Sequence, residues 1–395
     1  MGPLDGIKVL ELGQLIAGPF CTRIMGEFGA QVIKIESPRG GDPLRKWRKL
    51  YQDKSLWWLL QARNKKSVTV DLKNPRGQEI VRKLAEEADI VVENFRPGSM
   101  EKWGLGYEEL SKVNPGLIMV RLSGYGQTGP YRDRPGFGSI GEAMGGLRYV
   151  TGYPDRAPVR VGISLGDAIA SLYGVIGALM ALRQRDVNGG IGQIVDVALY
   201  EAVFSFMESM VPEYDMFKFV RERTGSTLPG IAPSNSYLTK DGKFVVIGAN
   251  GDSIFKRMMQ AIGRSDLADD PELVHNDGRA KRSDELDEII GNWCSQHDLK
   301  HVLETLENAD VPSGKIFDVV DIVNDIHYKA RDMIQEQKLS GGETLLVPGI
   351  VPKLSKNPGQ TLWLGPDLGE HTDEVLGSLG LSDEELKSLK QSGVI

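Results

Sequence analysis

At 395 residues, with 41% hydrophobic and 26% charged positions, the chain has the make-up of a soluble globular protein large enough for two or three domains, and general disorder is excluded. A net charge of -7 and a pI near 5.5 argue against nucleic acid as a partner, because a phosphate-tracking surface carries a basic balance. The two cysteines, Cys21 and Cys294, form no CxxC pair, so neither a disulfide framework nor a metal site is expected, and a cytoplasmic protein in a reducing compartment fits.

The opening MGPLDGIKVLEL carries acidic residues and no basic-then-apolar pattern, so no export signal is read there. Ile7 to Leu12 predicts a strand, Pro19 to Phe28 a helix and Gln31 to Glu36 a second strand, a βαβ unit that implies a parallel sheet. The intervening turn, GQLIAGP, lacks GxGxxG, which disfavours a nicotinamide or flavin dinucleotide. The alternation continues with a strand at Ser67 to Leu72, a helix opened by Asn74-Pro75, a strand at Ile90 to Glu93, a helix at Tyr107 to Val113 and a strand at Leu117 to Leu122. Gly124 to Gly138 is a loop by composition.

After an apolar helix from Asp167, a strand at Ile194 to Leu199 and a helix at Tyr200 to Met210, the alternation stops. Asn235 to Thr239 and Phe244 to Ile247 then read as an antiparallel hairpin, followed by helices that include Ser283 to Ser295 and Leu299 to Ala309. The fold class is therefore α/β: a large Rossmann-like unit with a parallel sheet, residues 1–224 completed by 325–395, and a smaller inserted α+β domain, residues 225–324. The longest apolar run, Ala168 to Leu182, is broken by Gly174 and Gly177 and falls short of the ~20 residues of a membrane span, so a buried core helix is expected and no membrane partner.

The chemistry concentrates in GISLGDAIASLYGVIG, Gly162 to Gly177, where Asp167 is the only charged residue. Taken alone, an Asp before an apolar run reads as a helix N-cap. Gly162 to Gly166 also matches the G-x-S-x-G nucleophile elbow, with Ser164 as the nucleophile of a thioesterase or hydrolase. That reading lacks the strongly apolar preceding strand and a supporting histidine. Ser164 has a second role open to it, capping the helix and leaving the Asp167 carboxylate for chemistry. A carboxylate nucleophile suits CoA exchange between acids, because its attack on an acyl-CoA gives an anhydride that retains the thioester's free energy.

The stretches LIAGPF, FGAQVIKIE, RNKKSVTVDLK, VVENFRPG, LSGYGQTGP, the run from Asp167 and LGEHTDEVL together cover nearly the whole chain, and in this order and spacing the sequence resembles a family III CoA-transferase of the CaiB/BaiF group. The resemblance implies a CoA-transferase that moves CoA from an acyl-CoA to a carboxylic acid. Asp167 would pass through an acyl anhydride and an aspartyl-CoA thioester. It further implies coenzyme A thioester as a substrate with no tightly bound cofactor, small-molecule acyl-CoA and carboxylic acid as partners, and an interlocked homodimer. By matching position, Ala17, Asn94, Phe95 and Lys102 would contact CoA; Arg39, an available cation for the CoA phosphates, and Leu72 complete the expected CoA-binding set. Gly248, Ala249, Asn250 and Gly251 resemble the mobile glycine segment of formyl-CoA transferase, whose N–H groups suit an oxyanion.

Departures narrow the activity. Phe137-Gly138 stands where formyl-CoA transferase has tyrosine and glutamate, and Ile16 where it has a glutamine, which disfavours the formyl/oxalate branch; the resemblance is closer to the succinyl-CoA-dependent transferases for dicarboxylates. Phe137 also stands where the related α-methylacyl-CoA racemases place a histidine, and without that second base the racemase alternative loses its proton donor.

Overall fold

The computed structural model describes residues 2–395. The chain divides into two compact units: one contains the chain up to Leu147, Val161–Glu208 and Asp332–Ile395, the other Arg148–Arg160 and Ser209–Arg331. The breaks fall after Glu208 and before Asp332, where the sequence reading put them after 224 and 324, and residues 148–160 join the second unit. The expected helix at Tyr200 to Met210 is two helices, Leu199–Phe204 and Met210–Phe217, because the backbone turns left-handed at Glu208, φ 48°.

The first unit is built on a six-stranded parallel sheet with the order Lys65–Thr69, Gln31–Glu36, Lys8–Glu11, Ile90–Glu93, Ile118–Ser123, Ile194–Ala198. Numbered along the chain this is 3-2-1-4-5-6, the Rossmann order. Period-two alternation explains why these strands are apolar on both faces. Leu10, Val91 and Met119 pack on one face with Ile80 and Leu110; Val9, Ile90 and Val120 pack on the other with Met25 and Ala178. Helices Pro75–Glu86 and Tyr107–Val113 therefore cover one face and helices Ala17–Glu27 and Leu165–Val187 the other.

The sheet changes direction between Lys8–Glu11 and Ile90–Glu93, and in open sheets of this kind ligands settle in the crevice beyond the strand ends at that point. Helix Leu165–Val187, at 23 residues, is longer than the apolar run suggested and passes the length and hydropathy test of a membrane span. One side of it, including Ile169, Ala170, Gly174 and Ala178, is buried in the core; Leu172, Ile176, Leu179 and Met180 on the other are exposed, so the fully buried helix expected from the sequence is half-covered. Strands Ile334–Lys338 and Thr344–Pro348 form an antiparallel hairpin that the sequence reading does not include.

The second unit carries a three-stranded antiparallel sheet in the order Ser313–Lys315, Phe244–Gly248, Ser234–Leu238. Its core of Val245, Ile247, Phe255, Leu286 and Ile290 lies between that sheet and helices Asp252–Ala261 and Ser283–Gln296. The predicted hairpin is thus present, with a third strand that sequence patterning missed.

Candidate active site

The turn after the first strand is fastened by buried charge. Glu11, wholly buried, pairs with Lys34 Nζ at 2.7 Å and Lys65 Nζ at 2.8 Å. Lys34 also donates to Gly13 O (2.8 Å) and Lys65 to Pro19 O (2.7 Å), so the two ammonium groups hold both ends of the turn. Lys34 further pairs with Asp42 at 2.9 Å, and Asp42 accepts the N–H of Leu15, whose φ of 63° is a strained conformation for a branched side chain. Burial pushes the Glu11 carboxyl up, but the two lysines outweigh it and hold the group at about 2, while burial pulls Lys65 down to about 8 against the attraction of Glu11. Such a network stays stable only because every member is paired, and removing one partner strands the others.

Across the switch point, Asn94 closes the same turn. Its Oδ1 accepts Gln14 N at 2.8 Å and its Nδ2 donates to Gln14 O at 2.9 Å. Gly13 and Gly18 leave room for it: a Cβ on Gly13 would stand 2.9 Å from Asn94 Oδ1. Phe95 is fixed by a 2.7 Å bond from its N–H to Glu93 Oε2 and stacks edge-on against Trp103. Glu93, buried, pairs with Arg121 at 2.7 Å, yet burial leaves its carboxyl above the ordinary value.

Asp167 lies in the first turn of helix Leu165–Val187, half-buried, at the positive end of the helix dipole. It is the third helical residue, so the N-cap reading is overturned: Ser164 occupies the cap position. Ser164 in turn makes no side-chain capping bond, which corrects the capping role expected for it. No strand leads into Ser164 either, as residues 151–163 are irregular, so the strand-turn-helix of a nucleophile elbow is missing.

Two neighbours frame Asp167. A Cβ built on Gly138, the first residue of helix Gly138–Met144, would lie 2.1 Å from Asp167 Oδ2, so the carboxylate rests directly over that glycine. Ser171 Oγ lies 2.7 Å from Asp167 O and 2.7 Å from Ala17 O, joining the starts of helices Leu165–Val187 and Ala17–Glu27. Gly166 N donates to Glu142 Oε1 at 3.2 Å. Cys21, on the buried side of Ala17–Glu27, has its thiol pushed up by burial and is no rival nucleophile.

Of the other expected CoA residues, Arg39 and Leu72 fall in turns and Ala17 and Lys102 on helices. Ala17 is buried with its carbonyl bonded to Ser171; Arg39 is exposed and pairs with Asp71 at 3.3 Å; Leu72 is half-buried after strand Lys65–Thr69; Lys102 is exposed on the short helix Ser99–Lys102. Arg45, another cation in this region, is committed within the unit: it clamps Glu36 at 2.8 Å and stacks 3.7 Å over the Trp58 ring. Phe137 is 66% exposed immediately before Gly138.

In the second unit, Gly248 N donates to Pro312 O and Ala249 N to Pro233 O, which takes those two donors away from any oxyanion and leaves the Asn250-Gly251 end of the segment. Arg279, wholly buried, bonds Asn250 O and Asp252 Oδ1 at 2.6 Å each. Asp252 is the first helical residue after Gly251 and binds Arg279 and His275 rather than capping the helix.

Sequence reasoning missed Glu142, Ser171 and the Glu11–Lys34–Lys65 network. Charged residues at inward positions of apolar parallel strands, Glu11 in IKVLEL and Lys34 in QVIKIE, were the available signal for the network.

The family profile described as CoA-transferase family III matches residues 4–372. The succinyl-CoA–D-citramalate CoA-transferase of Chloroflexus aurantiacus is 48% identical over 395 residues, covering 100% of this chain and 98% of the relative. The succinyl-CoA–L-malate CoA-transferase beta subunit of the same organism is 45% identical over 398 residues, with 100% and 98% covered. Among solved structures, a CAIB/BAIF family protein from Brucella suis superposes with a TM-score of 0.84 at 32% identity, covering 96% of this chain and 99% of that one.

Proposed function

We propose, from the premise that this chain belongs to CoA-transferase family III and is a CoA-transferase, that it moves CoA from succinyl-CoA to a dicarboxylic acid of the citramalate or malate kind by way of Asp167. The observation that carries this reading is the position of Asp167, its carboxylate over Gly138 and its backbone carbonyl tied through Ser171 to the turn at Ala17.

The chemistry runs without water and without net proton transfer. An Asp167 carboxylate oxygen attacks the thioester carbonyl carbon, the C–S bond breaks and CoA leaves as thiolate, giving a mixed anhydride. The thiolate attacks the Asp167 carbonyl of that anhydride, releasing succinate and leaving aspartyl-CoA. The acceptor carboxylate attacks the aspartyl-CoA carbonyl and expels the thiolate. The thiolate then attacks the acceptor's acyl carbon and restores the Asp167 carboxylate. Ala17, Arg39, Leu72, Asn94, Phe95 and Lys102 are our candidates for the CoA groove, the Asn250-Gly251 end of the segment Gly248 to Gly251 for the oxyanion donors and Phe137 for the acyl end.

We read the second unit as a small α+β domain inserted into the Rossmann-like one, and the whole as a cytoplasmic, interlocked homodimer. The half-covered helix Leu165–Val187 supports the dimer, since an apolar stripe from Leu172 to Met180 is otherwise left in water. Gel filtration giving a monomer contradicts the dimer.

Initial-rate kinetics with succinyl-CoA against a panel of dicarboxylic acids test the activity. Parallel double-reciprocal lines and transfer to citramalate or malate are expected. Intersecting lines, or CoA release without any acceptor acid, contradict the proposal.

A further inference from the structure

Helix Leu165–Val187 begins with N–H groups that have no acceptor within the helix: its first i to i-4 bond runs from Ala168 N to Ser164 O. A capping hydroxyl from Ser164 would be the ordinary partner, and it makes no such bond. The donor of Gly166, adjacent to Asp167, is instead met from a different helix: Glu142 of Gly138–Met144, only 1% exposed, accepts it at 3.2 Å.

The contact around that bond is tight. A Cβ on Gly166 would meet Gly138 O at 2.9 Å and Glu142 Cγ at 3.1 Å, while a Cβ on Gly138 would meet the Asp167 carboxylate at 2.1 Å. The short helix therefore touches the Gly166-Asp167 turn twice, once beside Gly166 and once beneath the carboxylate. A side-chain-to-backbone bond at this point sets the separation of the two helices, and with it where the Asp167 oxygens stand.

We propose that Glu142 is a positioning residue for Asp167, acting through the Gly166 N–H; this rests on the reading of Asp167 as the nucleophile. What the Gly166 N–H needs from residue 142 is an acceptor oxygen at full glutamate reach. Glutamine supplies the same oxygen at the same reach, whereas aspartate keeps the charge and falls one methylene short.

Steady-state kinetics of Glu142→Gln, Glu142→Asp and Asp167→Ala, alongside the unaltered enzyme, test this. Glu142→Gln is expected to keep kcat within ~3-fold and Glu142→Asp to lose ~10-fold or more, with KM for acyl-CoA unchanged in both, as misplacing a reacting group lowers turnover and spares ground-state binding. Thermal unfolding and single-turnover adduct formation per folded molecule separate this loss from misfolding. Full kcat in Glu142→Asp, loss in Glu142→Gln with activity in Glu142→Asp, or a rise in KM at constant kcat each overturns the role of Glu142 alone, provided Asp167→Ala is inactive. Turnover surviving in Asp167→Ala overturns the nucleophile and this inference with it.

Discussion

Gly138 and Asp167 are in contact such that the glycine's missing side chain is the space the carboxylate occupies: a Cβ on Gly138 would stand 2.1 Å from Asp167 Oδ2 and 2.7 Å from Cγ. The Phe137-Gly138 pair, read from sequence as a lost acidic residue, is thus also room made for Asp167. Replacement of Gly138 by alanine has to push the carboxylate aside, and a ~10- to 100-fold loss of kcat is expected, with KM for acyl-CoA little changed. Steady-state kinetics check it; an alanine variant with normal kcat means the carboxylate's place is not critical.

The Ser171 hydroxyl, within 2.7 Å of both Ala17 O and Asp167 O, couples the turn after the first strand to the candidate nucleophile. Ser171→Ala leaves a buried carbonyl short of a donor and is expected to cost about 1 kcal/mol of stability. Urea denaturation measures that cost, and the rate of adduct formation is expected to fall with it.

Ser164 gives the opposite expectation. An N-cap serine is ordinarily worth about 1 kcal/mol, but this one makes no capping bond. Ser164→Ala should therefore change stability by less than about 0.5 kcal/mol, the level of a surface substitution, and leave transfer activity intact. A large loss of activity would revive the serine nucleophile.

Acid should loosen the sheet's ionic centre before the rest of the core. Glu11, with burial opposed and exceeded by Lys34 and Lys65, is lowered from 4.5 to about 2, and Glu36, also buried, is lowered by Arg45. A carboxyl depressed in the folded state adds stability that is complete above its unfolded value and is lost as pH falls through the window down to its folded value. Glu93 acts with the reverse sign, because burial raises it and protonation relieves it. Denaturation midpoints are expected to hold down to about pH 4.5 and to drop as the pH falls towards 2, with the drop flattened in Glu11→Gln.

The alternation that made the βαβ units legible is local: strands such as Ile90–Glu93 and helices such as Tyr107–Val113 were read from sequence with the bounds they have in the structure. Where contact rather than pattern decided, the reading slipped. Helix Gly138–Met144 is glycine-rich, with little intrinsic preference for a helix, and forms where its glycines let Asp167 and Leu199 approach. The bond from Gly166 N to Glu142, 24 residues away in sequence, has no periodic trace at all. Asp167 stood out because one charge in an apolar stretch is visible in sequence; the residues that place it look like ordinary helix positions.

Mass spectrometry of the protein trapped with succinyl-CoA before acceptor acid is added is the most direct test of the central claim. The account predicts a covalent CoA adduct on the peptide carrying Asp167, released on addition of acceptor and absent from Asp167→Ala, while Ser164→Ala still forms it. An adduct that persists in Asp167→Ala, or one that maps to Ser164, contradicts the account.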